Sequence, residues 1–187
     1  MWARSQAKVR SRIVKSKSER SVAMGVDPNR QATSLLRGWI VVGVDGSEPS
    51  KEALRWAARQ AQITGAKVLA VMAWEYPTSF GWAPPYPTEF DPGLDTRKAL
   101  DATVDEALGT DRPVDVESIV VEGRPATELL EAAKGADLLV VGCRGHGAFT
   151  GMLLGSVSQH CMTHASCPVM VIHGHGADIP EADAALT

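Results

Sequence analysis

The chain has 187 residues, 44% of them hydrophobic and 22% charged, and a net charge of −3. That suits one α/β domain with a sizeable core and is too little for two comfortable ones. No apolar run reaches the roughly eighteen residues a membrane span needs, no apolar leader marks the N-terminus, and Cys143, Cys161 and Cys167 lack paired spacing, so a spanning helix, a secretory signal and a disulfide framework are all disfavoured. A cytoplasmic protein with free thiols is the expectation.

Charge is unevenly spread. Residues 1–37 carry nine Lys or Arg against two acids, +7, which leaves −10 for the remainder. This basic stretch has too few apolar residues to bury, so it is expected to be a disordered extension, with Met24 as an alternative start and nucleic-acid contact an unfavoured role.

The elements then follow in order. Residues 39–45 form a short, nearly continuous apolar run ending at Gly46-Ser47, the pattern of a strand covered on both faces. Ser47 and Ser50 are cap candidates for a helix with Ala53, Leu54, Ala57, Ala58 and Ala61 on one stripe, closed by Gly65. Lys67 to Trp74 repeats the buried-strand pattern, so the two strands pair in parallel through a right-handed crossover.

Glu75 to Gly93 holds five prolines and five aromatic residues without periodicity and is expected to be a long loop that acts as a flap. A second helix is predicted over 94–108, and a third strand over 114–121. Pro125 suits the first turn of a third helix that stops near Gly135. Residues 136–142 make a fourth strand, 156–164 a fourth helix and 168–173 a fifth strand, and 174–187 reads as a disordered tail. Five parallel strands and four helices imply a flavodoxin-like (Rossmann-like) doubly wound sheet over 38–173, with its ligand crevice beyond the carboxyl ends of the strands where their order reverses.

Two of those ends carry chemistry. The first reads Gly43-Val44-Asp45-Gly46-Ser47; the fourth runs from Gly142 through Gly145, Gly147 and Gly151 to Gly155-Ser156-Val157. The glycines allow positive φ and close approach of a ligand to the main chain, and a helix starting at Gly155-Ser156 offers unpaired amides and the positive end of its dipole to an anion. The bland alternative is a set of tight turns. No Gly-Lys-Ser/Thr occurs and Gly43-x-Asp-Gly lacks the dinucleotide fingerprint, so a P-loop ATPase and a dehydrogenase are disfavoured.

The spacing Gly142-x2-Gly145-x9-Gly155-Ser156 resembles that of the ATP-binding class of universal stress proteins. The likeness extends over about 38–173, including Val42 to Ser47, Ala73-Trp74 and Glu122-Gly-Arg-Pro125. It implies that Gly43 and Asp45 contact ribose and nearby phosphate, that the Ala73 main chain bonds adenine, and that Gly142, Gly145, Gly155, Ser156 and Val157 wrap the phosphates of ATP, accompanied by Mg2+. For Asp45 the alternative is a helix cap. Arg144, the only Lys or Arg in the loop, is a candidate phosphate partner or a solvated surface residue. Cys143 reads as a spacer.

His160, Cys161, His164 and Cys167 suggest zinc, but adjacent helical residues turn by about 100°, which points Cys161 away from His160, and structural zinc usually takes a closed set of four ligands, so no metal site is expected. The loop offers no lysine for a γ-phosphate and no carboxylate to orient water. A non-enzymatic ATP binder follows, its occupancy altering affinity for a regulatory protein partner, with stress-linked regulation implied by the resemblance. The rival is a weak Mg-dependent ATPase or phosphotransferase with Asp45 or His146 as base. The fifth strand, as a sheet edge, is expected to pair two copies into a homodimer, the arrangement the resemblance also implies.

Overall fold

A computed structural model of the chain describes residues 38–75, 91–112, 114–145 and 154–174. The basic extension before Gly38, nearly all of the Pro-rich segment, His146, Gly147, Gly151 and the tail after Gly174 lie outside the described residues.

The elements are β1 (Trp39–Gly43), α1 (Glu48–Thr64), β2 (Lys67–Trp74), α2 (Pro92–Leu108), β3 (Val116–Glu122), α3 (Pro125–Ala132), β4 (Leu138–Gly142), α4 (Ser156–His164) and β5 (Val169–Ile172). All neighbouring strands pair in parallel, in the order β3-β2-β1-β4-β5. The sheet is the expected doubly wound one. Its reversal point falls between β1 and β4, and β5 is an edge strand.

Alternation along β1 explains how both faces become core. Trp39 and Val41 join Leu69, Val71, Leu139 and Val141 beneath Leu129 and Ala132 of α3 and Cys161 of α4. Ile40 and Val42 join Val68, Ala70 and Val140 beneath Ala53, Leu54, Ala57 and Ala61 of α1 and Leu100 and Val104 of α2. Each fully buried leucine, such as Leu54 or Leu139, contributes about 1.5–3 kcal/mol relative to its exposed state. A strand with apolar side chains on both sides is stable only with helices on both faces, which fixes β1 at the centre and brings its carboxyl end to the reversal point.

Element limits differ from the sequence expectation where a local bond decides them. Asp91 Oδ1 accepts the amides of Gly93 at 2.9 Å and Leu94 at 3.2 Å, so α2 begins at Pro92, two residues before the predicted 94. Gly65 ends α1 in the left-handed conformation, φ 71°, its N–H donating to Ala61 O, as predicted. α3 stops at Ala132, before the predicted Gly135; a turn carries the chain to Gly135, whose φ is 81°. β3 spans 116–122 and not 114–121, and β4 starts at Leu138 and not 136.

Candidate functional site

The site is built where β1 and β4 leave the sheet. After Gly43 the chain makes one more rung, Val44 N–H to Val71 O at 2.9 Å. Main-chain groups alternate sides along a strand, so Val71 and Ala73 both face β1, while Trp74 faces β3 and accepts from Gly123 N–H at 2.8 Å. With β1 ended, the N–H and C=O of Ala73 face the crevice with no strand opposite. A flat heterocycle that accepts and donates along one edge suits that pair.

On the other side, the loop after β4 is pinned at both ends. Cys143 O accepts Gly155 N–H at 2.7 Å and Ser158 Oγ–H at 3.0 Å. Gly155 is the N-cap of α4, and the first intrahelical bond runs from Gln159 N–H to Gly155 O. The amides of Ser156, Val157 and Ser158 precede that bond and have no intrahelical acceptor, which makes the start of α4 a cluster of donors at a positive dipole end.

All nine predicted site residues, Gly43, Asp45, Ala73, Gly142, Arg144, Gly145, Gly155, Ser156 and Val157, line one cavity of about 360 Å³. Val71, Pro125, Leu129 and Val141 supply its apolar wall. Asp45 is exposed within it. Its Oδ1 accepts Ser47 N–H at 3.0 Å and Ser47 Oγ–H at 2.6 Å, so this carboxylate does not cap α1, whose N-cap is Ser47.

The glycines act differently from the expectation. Gly142, Gly145 and Gly155 all avoid positive φ; the positive value in this region belongs to Gly46, at 85°. What Gly142 and Gly145 supply is closeness. A Cβ on Gly142 would lie 2.9 Å from the Pro49 carbonyl carbon, and one on Gly145 would collide with Asp45 Oδ2. Gly43 has the same character, a Cβ there meeting Leu129 Cδ1 at 2.8 Å.

The Cys/His group does not converge. Cys161 is fully buried, its thiol pushed up to about 11 by burial and then by neighbouring Cys167, while His160 and His164 are exposed with rings stacked at 4.2 Å. Among the described residues no three His, Cys, Asp or Glu side chains form a metal-binding group.

The profile of the universal stress protein family matches residues 38–173. The chain belongs to the universal stress protein family. A universal stress protein of Mycobacterium tuberculosis is 35% identical over 148 residues, 76% of this chain and 50% of that protein. One from Thermus aquaticus is 34% identical over 135 residues, 71% of this chain and 96% of that protein. The chain thus spans about half the length of its mycobacterial relatives. Among solved structures, a universal stress protein in complex with cAMP is 30% identical with TM-score 0.51, covering 73% of this chain and 96% of that one. The universal stress protein from Lactobacillus plantarum, at 24% identity and TM-score 0.52 over 72% of this chain and 96% of that one, is a likeness of fold alone.

Seven further residues line this universal stress protein crevice that were not predicted as site residues, Leu129, Pro125 and Ser158 among them. Leu129 and Pro125 of α3 were legible only as core and helix start, although Glu122-Gly-Arg-Pro125 places that helix directly after β3. Ser158 carried one signal, a hydroxyl at the third position of a predicted helix, where it can reach back to the loop.

Proposed function

We propose that the chain is an ATP-binding universal stress protein that holds its nucleotide without rapid turnover and uses occupancy to regulate a protein partner. The observation that carries the reading is the meeting of all nine motif residues on one cavity at the reversal point of the sheet. Adenine lies against the Val71 and Leu129 wall with its edge on the Ala73 main chain. Asp45 accepts from a ribose hydroxyl, and the amides at the start of α4 receive the phosphates, with Arg144 beside them. The cAMP complex of the 30% identical relative supports nucleotide as the ligand class.

Asp45 is the only acid lining the cavity among the described residues. Mg2+ would therefore be held mainly by the phosphates and water, a common mode for this ion. Slow turnover follows because one carboxylate, with one oxygen already bonded twice, is poorly suited to orient an attacking water. A second copy docks along β5, an edge strand whose Met170 is 38% exposed.

Calorimetric titration of ATP tests the reading. Saturable one-to-one binding by the wild type, measurably weakened in Asp45→Ala and lost in Gly145→Val, is expected; equal binding by all three removes the site. Labelled ATP should remain intact over the titration, and turnover abolished by His146→Ala would favour the enzymatic rival.

A further inference from the structure

A serine at a helix N-cap ordinarily accepts a hydrogen bond from an amide of the first turn, worth about 1 kcal/mol. Ser47 holds that position at α1, yet its side chain makes no capping bond. The hydroxyl donates instead to Asp45 Oδ1 at 2.6 Å, and the Ser47 N–H reaches the same oxygen at 3.0 Å. Ser47 is only 8% exposed and is not part of the cavity wall. The carbonyl of Arg144, on the loop after β4, lies 3.5 Å from the same hydroxyl.

A solvated carboxylate samples several rotamers and presents either oxygen. Here one oxygen is held by two donors, and the other, Oδ2, is turned to Gly145 across the crevice, filling the space a Cβ there would need. We propose that Ser47 is the positioning residue of the sugar-reading carboxylate: it fixes Oδ1 so that Oδ2 alone meets a ribose hydroxyl. The ligand class this selects is a nucleotide with free ribose hydroxyls, over its 2′,3′-dideoxy counterpart. The same hydroxyl stands 3.5 Å from Arg144 O, next to the phosphate loop, while its one hydrogen is given to Asp45.

This inference rests on the nucleotide reading above, and its test separates the two. ATP and 2′,3′-dideoxy-ATP are titrated calorimetrically into wild type, Ser47→Ala, Ser47→Thr, Asp45→Ala and the Ser47→Ala/Asp45→Ala double variant, each checked by circular dichroism. Ser47→Ala should weaken ATP about tenfold, the scale of one hydrogen bond to a charged group. It should leave dideoxy-ATP unchanged, Ser47→Thr should restore ATP affinity, and Ser47→Ala should add no loss to Asp45→Ala. Equal weakening of both nucleotides, or unchanged ATP affinity in a folded Ser47→Ala, overturns the positioning role while wild-type binding keeps the nucleotide reading. Should Ser47→Ala fail to fold, Ser47→Thr carries the comparison: the hydroxyl is kept, so loss of ATP preference in that folded variant overturns the role. Absence of ATP binding by the wild type overturns both.

Discussion

Substituting Gly142 by alanine and Gly155 by serine separates these two motif glycines by their surroundings. A Cβ on Gly142 would stand 2.9 Å from both the carbonyl carbon and Cβ of Pro49 and 3.0 Å from Ser50 N. Those are mostly main-chain atoms at the first turn of α1, and Gly142 itself is a rung of β4 paired with Ile172 of β5, so neither side yields easily. Overpacking of this kind costs about 1–3 kcal/mol. In a domain of this size that lowers Tm by about 3–10 °C. At Gly155 the nearest atom to an added Cβ is Arg144 Cα at 3.5 Å, an ordinary contact, and the residue is an N-cap where serine is favoured. Gly155→Ser should stay within about 0.5 kcal/mol of wild type. Thermal unfolding by circular dichroism, with urea unfolding to convert Tm into free energy, measures both. A Gly142→Ala protein as stable as wild type, or a Gly155→Ser protein destabilised more than Gly142→Ala, would refute the packing argument.

Two further outcomes follow from buried groups. Glu128 on α3 is buried, which raises its carboxyl above the ordinary range, with neighbouring Glu131 adding to the rise. The folded state therefore binds this proton more tightly than the unfolded one, a stabilising contribution complete below the ordinary value of 4.5 and lost as pH rises through the folded-state value. The Tm of Glu128→Gln minus that of wild type should increase between about pH 4.5 and about pH 7; a difference independent of pH would contradict it. Cys143 and Cys161 are buried, and the Cys161 thiol stands at about 11. At neutral pH the folded protein should release fewer than three equivalents from a thiol-reactive disulfide dye, and all three in denaturant.

Much of the fold was legible because local pattern and global position agree. The runs at 39–43, 67–74 and 138–142 are apolar on both faces, and a strand of that kind has no stable place except between two helical layers. The edge strands were read less sharply: β3 is only half-buried, so its partial alternation left two residues uncertain at the start. Asp91 was missed as the cap of α2 because it sits in a segment dominated by proline and aromatic residues, where no apolar period marks a helix start. Of the residues that line the cavity, the loop glycines were legible from their spacing ahead of a helix start, whereas Gly43, Asp45 and Ala73 were named through the family resemblance. The work of the glycines was legible only in part: positive φ and close approach of a ligand were expected from sequence, and at Gly142 and Gly145 it is close approach of Pro49 and Asp45, without positive φ, that is found. Ser47 looked like a cap because a cap is its local option; the competing acceptor, Asp45 Oδ1, depends on a turn set by the Gly46 conformation.

Hydrogen–deuterium exchange with and without ATP tests the location of the nucleotide most directly. Binding at the reversal point should slow exchange at the amides of Ala73 and of Ser156 to Ser158 and leave those of α2 unchanged. Protection confined to other elements, with these amides unaffected at saturating ATP, would contradict the account.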